Sequence, residues 1–427
     1  MLFNEIALLN ENYEVVNDMY VGVKGDTISY IGKEKPKGDF GEEIDGKNRL
    51  LMPGFYNAHT HSPMALMRGY GENLALQDWL GTRIFPFEDK LDGNAVYWGT
   101  MLCMAESVKY GIVSLSDMYY FIPDMVKAVA DSGMKANISR SIANPMGIPY
   151  DELPSIGEAK ESLQFHGMEN GRILIDTSLH AEYTNNVETA TRLAELTKEA
   201  GAIMHVHCSE TEFEHKECIK RHGKTPAQFL NDCGLFDGPA LAAHCVWCEP
   251  KDLEIFVEKG VSVATNPMSN LKLASGICNV PAMLKKNINV AIGTDSVASN
   301  NSLNFFEEMK TMAALAKVKT SDPTVVTPQE ALMMATVNGA KAQGRANCGT
   351  LEVGNKADMI VLRTDVPNMH PVHNMANNLV YAGDSGDIAM TIVDGRILYR
   401  NGEYTTIDIE KTIYETEAAT AGILKQL

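Results

Sequence analysis

Eight short apolar segments in the middle of the chain alternate with segments whose apolar residues recur about every 3.6 positions. The apolar segments are typical of buried strands and the others of amphipathic helices, for example at 187–200 and 250–259. Strands that alternate with helices form a parallel sheet, and eight of them match a closed (β/α)8 barrel of the TIM type. The candidate strands are 51–57, 112–116, 136–141, 173–179, 203–206, 240–243, 261–265 and 290–293. An open, doubly wound sheet is the alternative, but no glycine-rich phosphate loop follows the first strand.

Both ends of the chain are rich in strand signals instead. The first fifty residues contain alternating segments separated by Gly and Asp, and the last part contains strand-like segments at 357–362 and 388–393. Asp394 and Gly395 form a dipeptide that favours a hairpin turn. We therefore predict that residues 1–53 and 355–427 combine into a small β-sandwich domain and that residues 54–354 form the barrel.

The composition argues against several classes of protein. The net charge is −18, and no run of Lys and Arg is long enough for a nucleic-acid-binding patch. The N-terminus lacks the basic and apolar segments of a signal peptide, and no apolar run reaches the ~18 residues that a membrane-spanning helix needs. The eight cysteines are scattered, which is not typical of a secreted disulfide scaffold. We expect a cytoplasmic protein that binds neither nucleic acid nor a membrane.

Polar residues stand at the carboxyl ends of most candidate strands. In a (β/α)8 barrel these ends meet at one face, where the active sites of such enzymes lie. A single histidine at a strand end would be weak support for a site, but six such positions on one rim are difficult to explain by packing. The residues at these ends are His59, His61, Arg140, His180, His205, His207, Glu210, His244, Asn266, Thr294 and Asp295.

The spacing of four of these residues predicts a metal site. His59 and His61 are two positions apart, so both side chains point the same way from their strand. His207 adds a third imidazole and Asp295 a carboxylate oxygen. Such a set suits Zn²⁺ first and also accommodates Fe²⁺ or Mn²⁺. A divalent ion there would bring the pKa of bound water towards 7.

Each of these residues also has a simpler interpretation. Asp295 could cap a helix, His244 could be a satisfied core histidine, and Glu210 could be a solvated loop carboxylate. We favour the functional interpretation for all three because they share the rim with the metal set. His205 is better explained as a core histidine or a support behind the ligands.

The remaining candidates are interpreted as structural residues. His215 and His222 lie in a charged helical stretch and are predicted to be on the surface. Cys245 and Cys248 form a C-x-x-C pair, for which a redox role is one reading. We prefer the interpretation that both are buried small side chains, because no second cysteine pair accompanies them.

These segments together resemble the amidohydrolase superfamily, and within it the 5-methylthioadenosine/S-adenosylhomocysteine deaminases. The resemblance covers nearly the whole chain. Seven segments are similar to the family's pattern: 53–80, 84–88, 205–211, 242–247, 264–276, 292–309 and 355–362. It implies a hydrolytic deaminase that converts the adenine ring of a 5′-substituted adenosine to hypoxanthine with release of ammonia. It also implies a nucleoside as the small-molecule partner and a homo-oligomer.

The resemblance implies roles for individual residues. His59, His61, His207 and Asp295 would hold the metal, with Glu210, His244 and Asp295 as the catalytic acid–base groups. Four further side chains would bind the nucleoside along with Glu210: Glu88 the ribose hydroxyls, His180 the nucleoside, Trp79 the 5′ substituent, and Arg140 the amino-acid tail of S-adenosylhomocysteine.

Three absences qualify the resemblance. No lysine lies near His180, where relatives with two metals carry one, so a single metal is expected. The H-x-E and P-C-x-x-C signatures of the cytidine-deaminase type do not occur. The family often has a second arginine shortly after Arg140, but residues 141–171 contain none, which leaves substrates with smaller 5′ groups equally open. The competing functions are guanine or pterin deamination, triazine hydrolysis and, as a different class, a non-catalytic scaffold.

Overall fold

A computed structural model describes residues 1–427 and contains two sheets. The strands are β1 (Leu2–Leu9), β2 (Val15–Lys24), β3 (Thr27–Gly32), β4 (Glu43–Asp45), β5 (Arg49–Pro53), β6 (Phe55–Thr60), β7 (Ile112–Tyr119), β8 (Lys135–Ile142), β9 (Ile173–Leu179), β10 (Met204–Cys208), β11 (Ala240–His244), β12 (Ser262–Thr265), β13 (Val290–Ile292), β14 (Met359–Arg363), β15 (Ile388–Val393), β16 (Arg396–Arg400) and β17 (Glu403–Tyr404).

Helices connect and cover these strands. They are α1 (Leu76–Trp79), α2 (Phe85–Glu88), α3 (Gly93–Lys109), α4 (Ile122–Ser132), α5 (Pro154–Ser162), α6 (Met168–Gly171), α7 (Val187–Ala200), α8 (Glu212–His222), α9 (Pro226–Asp232), α10 (Pro250–Lys259), α11 (Pro267–Lys272), α12 (Val280–Lys285), α13 (Phe305–Thr320), α14 (Pro328–Ala335), α15 (Val337–Ala342), α16 (Met375–Tyr381) and α17 (Ile409–Leu424). A π-helical turn, Leu80–Ile84, joins α1 to α2. None of the helices has both the length and the apolarity that crossing a bilayer requires.

Strands β6 to β13 form a parallel barrel in chain order. The ends of the sheet meet where the Asp295 amide donates a hydrogen bond to the His59 carbonyl at 2.9 Å. The Asn57 side chain strengthens this seam by donating to the Thr294 hydroxyl at 2.7 Å. The predicted (β/α)8 barrel is thereby confirmed, with a nearly closed sheet.

Gly293 lets the first and last barrel strands approach each other. A Cβ atom at this position would lie 2.3 Å from Asn266 Oδ1 and 2.8 Å from His59 Cβ, so any other residue would push β13 away from β6. The absence of a side chain at Gly293 therefore helps to bring Asp295 to the same place as His59.

The barrel interior is packed at the amino-terminal ends of its strands. Small side chains fill it there, and α15 inserts Ala342 beside Ala58, Leu241, Ala264 and Ala291. Gln343 follows α15 and donates a hydrogen bond to the Asn57 carbonyl at 3.0 Å. The opposite, carboxyl-terminal end of the strands is therefore the end available for a site.

The two chain termini share the second sheet, a mixed sheet of nine strands in the order β17-β16-β15-β14-β5-β1-β2-β3, with β4 paired to β1. This confirms the predicted β module built from both termini, and its strands are hydrogen-bonded into one continuous sheet around a separate core of 14 buried residues. Helix α17 packs on barrel helix α3, where Thr416 donates to the Trp98 carbonyl at 3.2 Å. The division of the chain at residues 53/54 and 354/355 stays a prediction.

Two of the predicted barrel strands differ from those observed by more than two residues at one or both ends. The segment 51–57 is two strands rather than one, because the chain leaves the terminal sheet after Pro53 and enters the barrel at Phe55. The second barrel strand continues three residues beyond Ser116, to Tyr119. The helices predicted at 187–200 and 250–259 are α7 and α10 with the same bounds.

Candidate active site

The carboxyl ends of the barrel strands surround a cavity of ≈ 590 Å³. Its lining combines apolar side chains with a few polar groups, as in pockets that bind small molecules. Eight of the residues singled out in the sequence line this cavity: His61, Trp79, Glu88, His180, His207, Glu210, His244 and Asp295. His59 lies directly beneath, and Arg140 lies outside the cavity wall.

Four side chains meet at the base of the cavity. Ring nitrogens of His59, His61 and His207 all lie within 4.8 Å of one another, as do donor atoms of His59, His244 and Asp295. Asp295 Oδ1 is 3.5 Å from His59 Nε2 and 3.4 Å from His61 Nε2. The structure thus brings together all four residues that the sequence proposed as metal ligands.

The other nitrogen of each imidazole is already engaged. His61 Nδ1 donates to the Met118 carbonyl and His207 Nδ1 to the His180 carbonyl, both at 2.7 Å. His59 Nδ1 is 2.9 Å from His205 Nε2, so His205 supports the His59 ring from the side away from the cavity. These contacts fix the ring orientations and leave the Nε2 atoms facing the cavity base, as in metal sites whose ligands are held by outer hydrogen bonds.

A divalent cation fits this donor set. His59 Nε2 is buried and has no hydrogen-bond partner in the protein, which is costly unless something else satisfies it. Burial lowers the pKa of His59 to about 3 and also lowers the pKa values of His61 and His207, so the imidazoles are neutral. Neutral imidazole is the form that binds a metal.

Asp295 supplies the only negative charge among these four groups. Burial opposes its ionisation, but the nearby imidazoles of His59, His61 and His244 together hold the pKa of this carboxyl well below its usual range. Its Oδ2 accepts hydrogen bonds from the hydroxyls of Ser269 at 2.5 Å and Ser299 at 3.0 Å. The carboxylate is therefore ionised and held in one orientation.

Three strand ends carry residues with left-handed backbone. Ser209, His244 and Asp295 have φ values of 50°, 70° and 58°. A non-glycine residue in this region costs roughly 1–2 kcal/mol. Such positions cluster where surrounding structure holds a functional side chain in a fixed direction, and here they turn His244 and Asp295 towards the cavity.

Glu210 and His244 lie next to each other in the cavity wall. Glu210 Oε2 is 3.8 Å from His244 Nε2, and its Oε1 accepts a hydrogen bond from Ser275 at 3.2 Å. Burial raises the pKa of Glu210, the charge of His244 opposes the shift, and the charge of Asp295 adds to it. The net effect is a raised pKa, the direction that suits a proton donor.

The outer part of the cavity is formed by the segment from α1 to α2. Trp79 is 5% exposed and contributes an apolar wall, while the partly buried Glu88 faces the phenols of Tyr119 and Tyr120. Loss of solvent raises the pKa of Glu88 to about 7, and both phenols and the Arg140 guanidinium oppose the shift. Glu88 is therefore poised to change charge near neutral pH.

Arg140 lies in an adjoining groove rather than in the cavity. The groove has a volume of ≈ 1060 Å³ and shares Glu88 and Tyr120 with the cavity. The Arg140 guanidinium is bound to Glu158 and stacks 4.7 Å from the centre of the Tyr120 ring. A substrate tail would therefore have to pass Tyr120 to reach it.

One sequence-based expectation about a histidine is wrong. His215 was predicted to be on the surface, but it is 5% exposed and its Nδ1 lies 3.2 Å from the Ser209 hydroxyl. Helix α8 carries charged residues on its outer face and turns His215 and Glu214 inwards. His222 is exposed, as predicted, and its Nε2 lies 2.9 Å from Glu182 Oε1.

The structure adds residues that the sequence analysis did not assign to the site. His244 Nδ1 donates a hydrogen bond to Asn270 Oδ1 at 2.8 Å, and Glu214 accepts hydrogen bonds from the amides of Ser209 and Glu210 at 3.0 and 2.7 Å. Asn270 and Ser275 lie within the segment 264–276 that carries the resemblance, which was a usable signal. Tyr119 and Tyr120 were overlooked because the second strand was predicted to end at Ser116.

Comparisons with known proteins identify the family to which the chain belongs. A model of the Amidohydrolase family matches residues 50–398. A 5-methylthioadenosine/S-adenosylhomocysteine deaminase of Thermoanaerobacter pseudethanolicus is 38% identical over 429 residues, covering 100% of both chains. A 5′-deoxyadenosine deaminase of Methanosarcina acetivorans is 41% identical over 403 residues, covering 93% of this chain and 92% of the relative.

One solved structure has the same fold. The crystal structure of an adenosine deaminase from Xanthomonas campestris with bound zinc superimposes with a TM-score of 0.92 at 28% sequence identity. The match covers 99% of this chain and 98% of the other. The two chains therefore share one fold along nearly their whole length.

Proposed function

Since the chain belongs to the amidohydrolase family, we propose that it is a metal-dependent hydrolase that deaminates the adenine ring of a 5′-substituted adenosine. The reaction adds water to the ring carbon that bears the amine, releases ammonia and leaves a hypoxanthine nucleoside. The observation that carries the proposal is the meeting of three neutral imidazoles and an ionised carboxylate at the base of a cavity that also holds the buried Glu210. Relatives named for deamination of such nucleosides support it.

His59, His61, His207 and Asp295 would hold one divalent ion. Zn²⁺ is the proposed ion because imidazole nitrogens dominate the donor set, and Fe²⁺ or Mn²⁺ would also be accommodated. A bound divalent ion supplies a nucleophilic water at neutral pH. No lysine lies beside His180 to bridge a second ion, which supports a single metal.

Glu210 would protonate the purine ring. An aromatic amidine resists attack by water until a ring nitrogen gains a proton, and a general acid is effective when its pKa lies near the working pH. Burial shifts the pKa of Glu210 in that direction. Ser275 fixes one carboxyl oxygen, so the other is available to the substrate.

Asp295 and His244 would handle the second proton transfer. Asp295 is ionised and can accept a proton from the attacking water, while His244, 3.8 Å from Glu210, lies on the same side of the cavity. Asn270 holds the other nitrogen of His244 and thereby fixes the direction of its free nitrogen. The accepted proton then passes to the amine, which leaves as ammonia.

The outer cavity would bind the rest of the nucleoside. Glu88 has two acceptor oxygens for the ribose hydroxyls. His180 lines the wall of the cavity and would contact the nucleoside there, and Trp79 would pack against the 5′ group. Arg140 would meet the carboxylate of a homocysteine tail only beyond Tyr120. We therefore expect 5′-methylthioadenosine and 5′-deoxyadenosine to be deaminated at least as well as S-adenosylhomocysteine, with adenosine also a candidate.

A panel of substrates tests this proposal directly. Ammonia release is measured with the metal-loaded protein on adenosine, 5′-deoxyadenosine, 5′-methylthioadenosine and S-adenosylhomocysteine, alongside guanine, a pterin and a chlorotriazine. Turnover of 5′-substituted adenosines with kcat/KM at least ~100-fold above the free bases is expected, because the ribose contacts would be lost in a free base. Preferred turnover of a free heterocycle would replace the proposed substrate.

Two sequence-based expectations lie outside these observations. The homo-oligomeric state and the cytoplasmic location stay predictions. Sedimentation analysis of the purified protein checks the first of them.

A further inference from the structure

A second cluster of metal-binding side chains lies behind the cavity wall. The thiols of Cys208, Cys245 and Cys248 all lie within 4.8 Å of one another, and none of the three is in a disulfide. Cys208 is the last residue of β10, Cys245 directly follows β11, and Cys248 lies three residues further on. The cluster shares no residue with the four ligands at the cavity base.

The backbone holds these thiols in register. The Cys245 amide donates to the Cys208 carbonyl at 3.0 Å, and the Trp247 amide donates to the Ser209 carbonyl at 3.0 Å. The left-handed conformation of Cys245, with φ of 49°, turns the loop after β11 back towards the end of β10. Two loops are therefore clamped at a fixed distance with their thiols facing each other.

The spacing and the surroundings suit a soft cation. A tetrahedral ion with metal–sulfur bonds of ~2.3 Å places its sulfur ligands about 3.8 Å apart, within the separation observed here. Cys208 and Cys245 are fully buried and Cys248 is partly buried, so an ion held between them would be shielded from most of the solvent. A disulfide would join only two of the three thiols and would leave the third unpaired.

We propose that Cys208, Cys245 and Cys248 form a second metal site, for a thiophilic ion such as Zn²⁺. Three thiolates leave the fourth position of a tetrahedral ion to water or an added thiol beside Cys248, which is only partly buried. The ion would fasten the loop that carries Glu210 to the loop that follows His244. Its role would be structural, since none of its ligands lines the cavity.

Metal analysis of paired variants tests the proposal. The reduced protein is saturated with Zn²⁺, freed of loose ion and measured by mass spectrometry. Two equivalents are expected for the unchanged chain and one for Cys248→Ser, whose partly exposed site tolerates the change. Cys348→Ser, at another partly buried cysteine outside the cluster, should keep two. His61→Ala should lose the other equivalent, which separates this proposal from the proposed function.

A spectroscopic measurement gives an independent answer on the unchanged chain. With Co²⁺ in place of Zn²⁺, a sulfur-to-cobalt charge-transfer band is expected in the near ultraviolet, present in His61→Ala and absent in Cys248→Ser. A single equivalent of metal without that band in the fully reduced protein would overturn the proposal. The reactive thiols of the unfolded, unreduced protein are also counted with a thiol reagent. If two of the eight do not react, two cysteines are joined in a disulfide, and the proposal fails if reduction still gives no second equivalent of metal.

Discussion

The base of the cavity and the groove around Arg140 differ in how firmly their side chains are held. At the base, His61 is 12% and Asp295 9% exposed at the side chain, and strand-end backbone and buried partners fix both. In the groove, the Arg140 side chain is itself only 14% exposed, but Glu158, the partner that holds it, is 53% exposed. A firmly held base suits a constant reaction, and a looser groove suits recognition of a variable 5′ group. Substitutions at the base should therefore abolish turnover, and those in the groove should change substrate choice.

The largest effect is expected at the base from His61→Ala. Removing this imidazole takes away a metal donor, and activity should fall on the order of 10⁴-fold, since metal activation of water contributes several kcal/mol. Metal content and ammonia release are measured together. His373→Ala, at an exposed histidine outside the barrel, is the matched control. Full activity of His61→Ala would remove the base of the cavity from the mechanism.

Glu210→Gln separates proton transfer from metal binding within the base. The amide keeps the shape of the side chain but cannot donate the carboxyl proton, so kcat should fall at least ~100-fold. Metal content should stay unchanged because Glu210 is outside the ligand set. Glu212→Gln, at an exposed carboxylate two residues along, should be near normal. Near-normal kcat in Glu210→Gln would assign the proton to another group.

The base was more predictable from the sequence than the groove. Side chains at strand ends converge because a closed parallel barrel allows no other arrangement, so the proposed set of His59, His61, His207 and Asp295 could be stated without coordinates. The only additional information needed was the order of the strands.

The rest of the site depends on tertiary packing that no local pattern shows. Tyr119 was overlooked because a strand continues past its apolar run when its polar residues are buried, as Asp117 is against Ser62. His215 was misplaced because α8 is highly charged, and only its neighbours decide which face is buried. The position of Arg140 beyond Tyr120 likewise depends on how loops on two strands pack together.

Glu88 stands at the boundary between the two regions and should give a pH-dependent effect. Its pKa of about 7 means that it is neutral below pH 7 and ionised above, and the ionised form is the stronger acceptor for ribose hydroxyls. We expect kcat/KM to rise with pH through about 7, and Glu88→Gln to lower the plateau roughly 10- to 100-fold and to remove this rise. Initial rates between pH 5.5 and ~9 measure it.

The charges near Glu88 must be considered in this test. Tyr119, Tyr120, Asp89 and Arg140 all influence its pKa, and the first two stay neutral throughout this pH range because burial raises their pKa values. Asp89→Asn, at the exposed neighbouring carboxylate, is the control and should keep the pH-dependent rise. An unchanged profile in Glu88→Gln would place the titrating group elsewhere.

The smallest effect is expected in the groove, from Arg140→Gln. An ion pair with a half-exposed partner contributes about 0.2–1 kcal/mol, so kcat/KM for S-adenosylhomocysteine should fall only about two- to fivefold. The value for 5′-methylthioadenosine should not change, because its methylthio group has no carboxylate and would not extend past Tyr120. Arg192→Gln removes a similar arginine, paired with Asp151 and stacked 4.2 Å from the centre of the Tyr150 ring, and should change neither value. An equal loss on both substrates would mean that Arg140 supports the cavity through Tyr120, and the groove would then be part of the fixed base rather than a separate determinant of substrate choice.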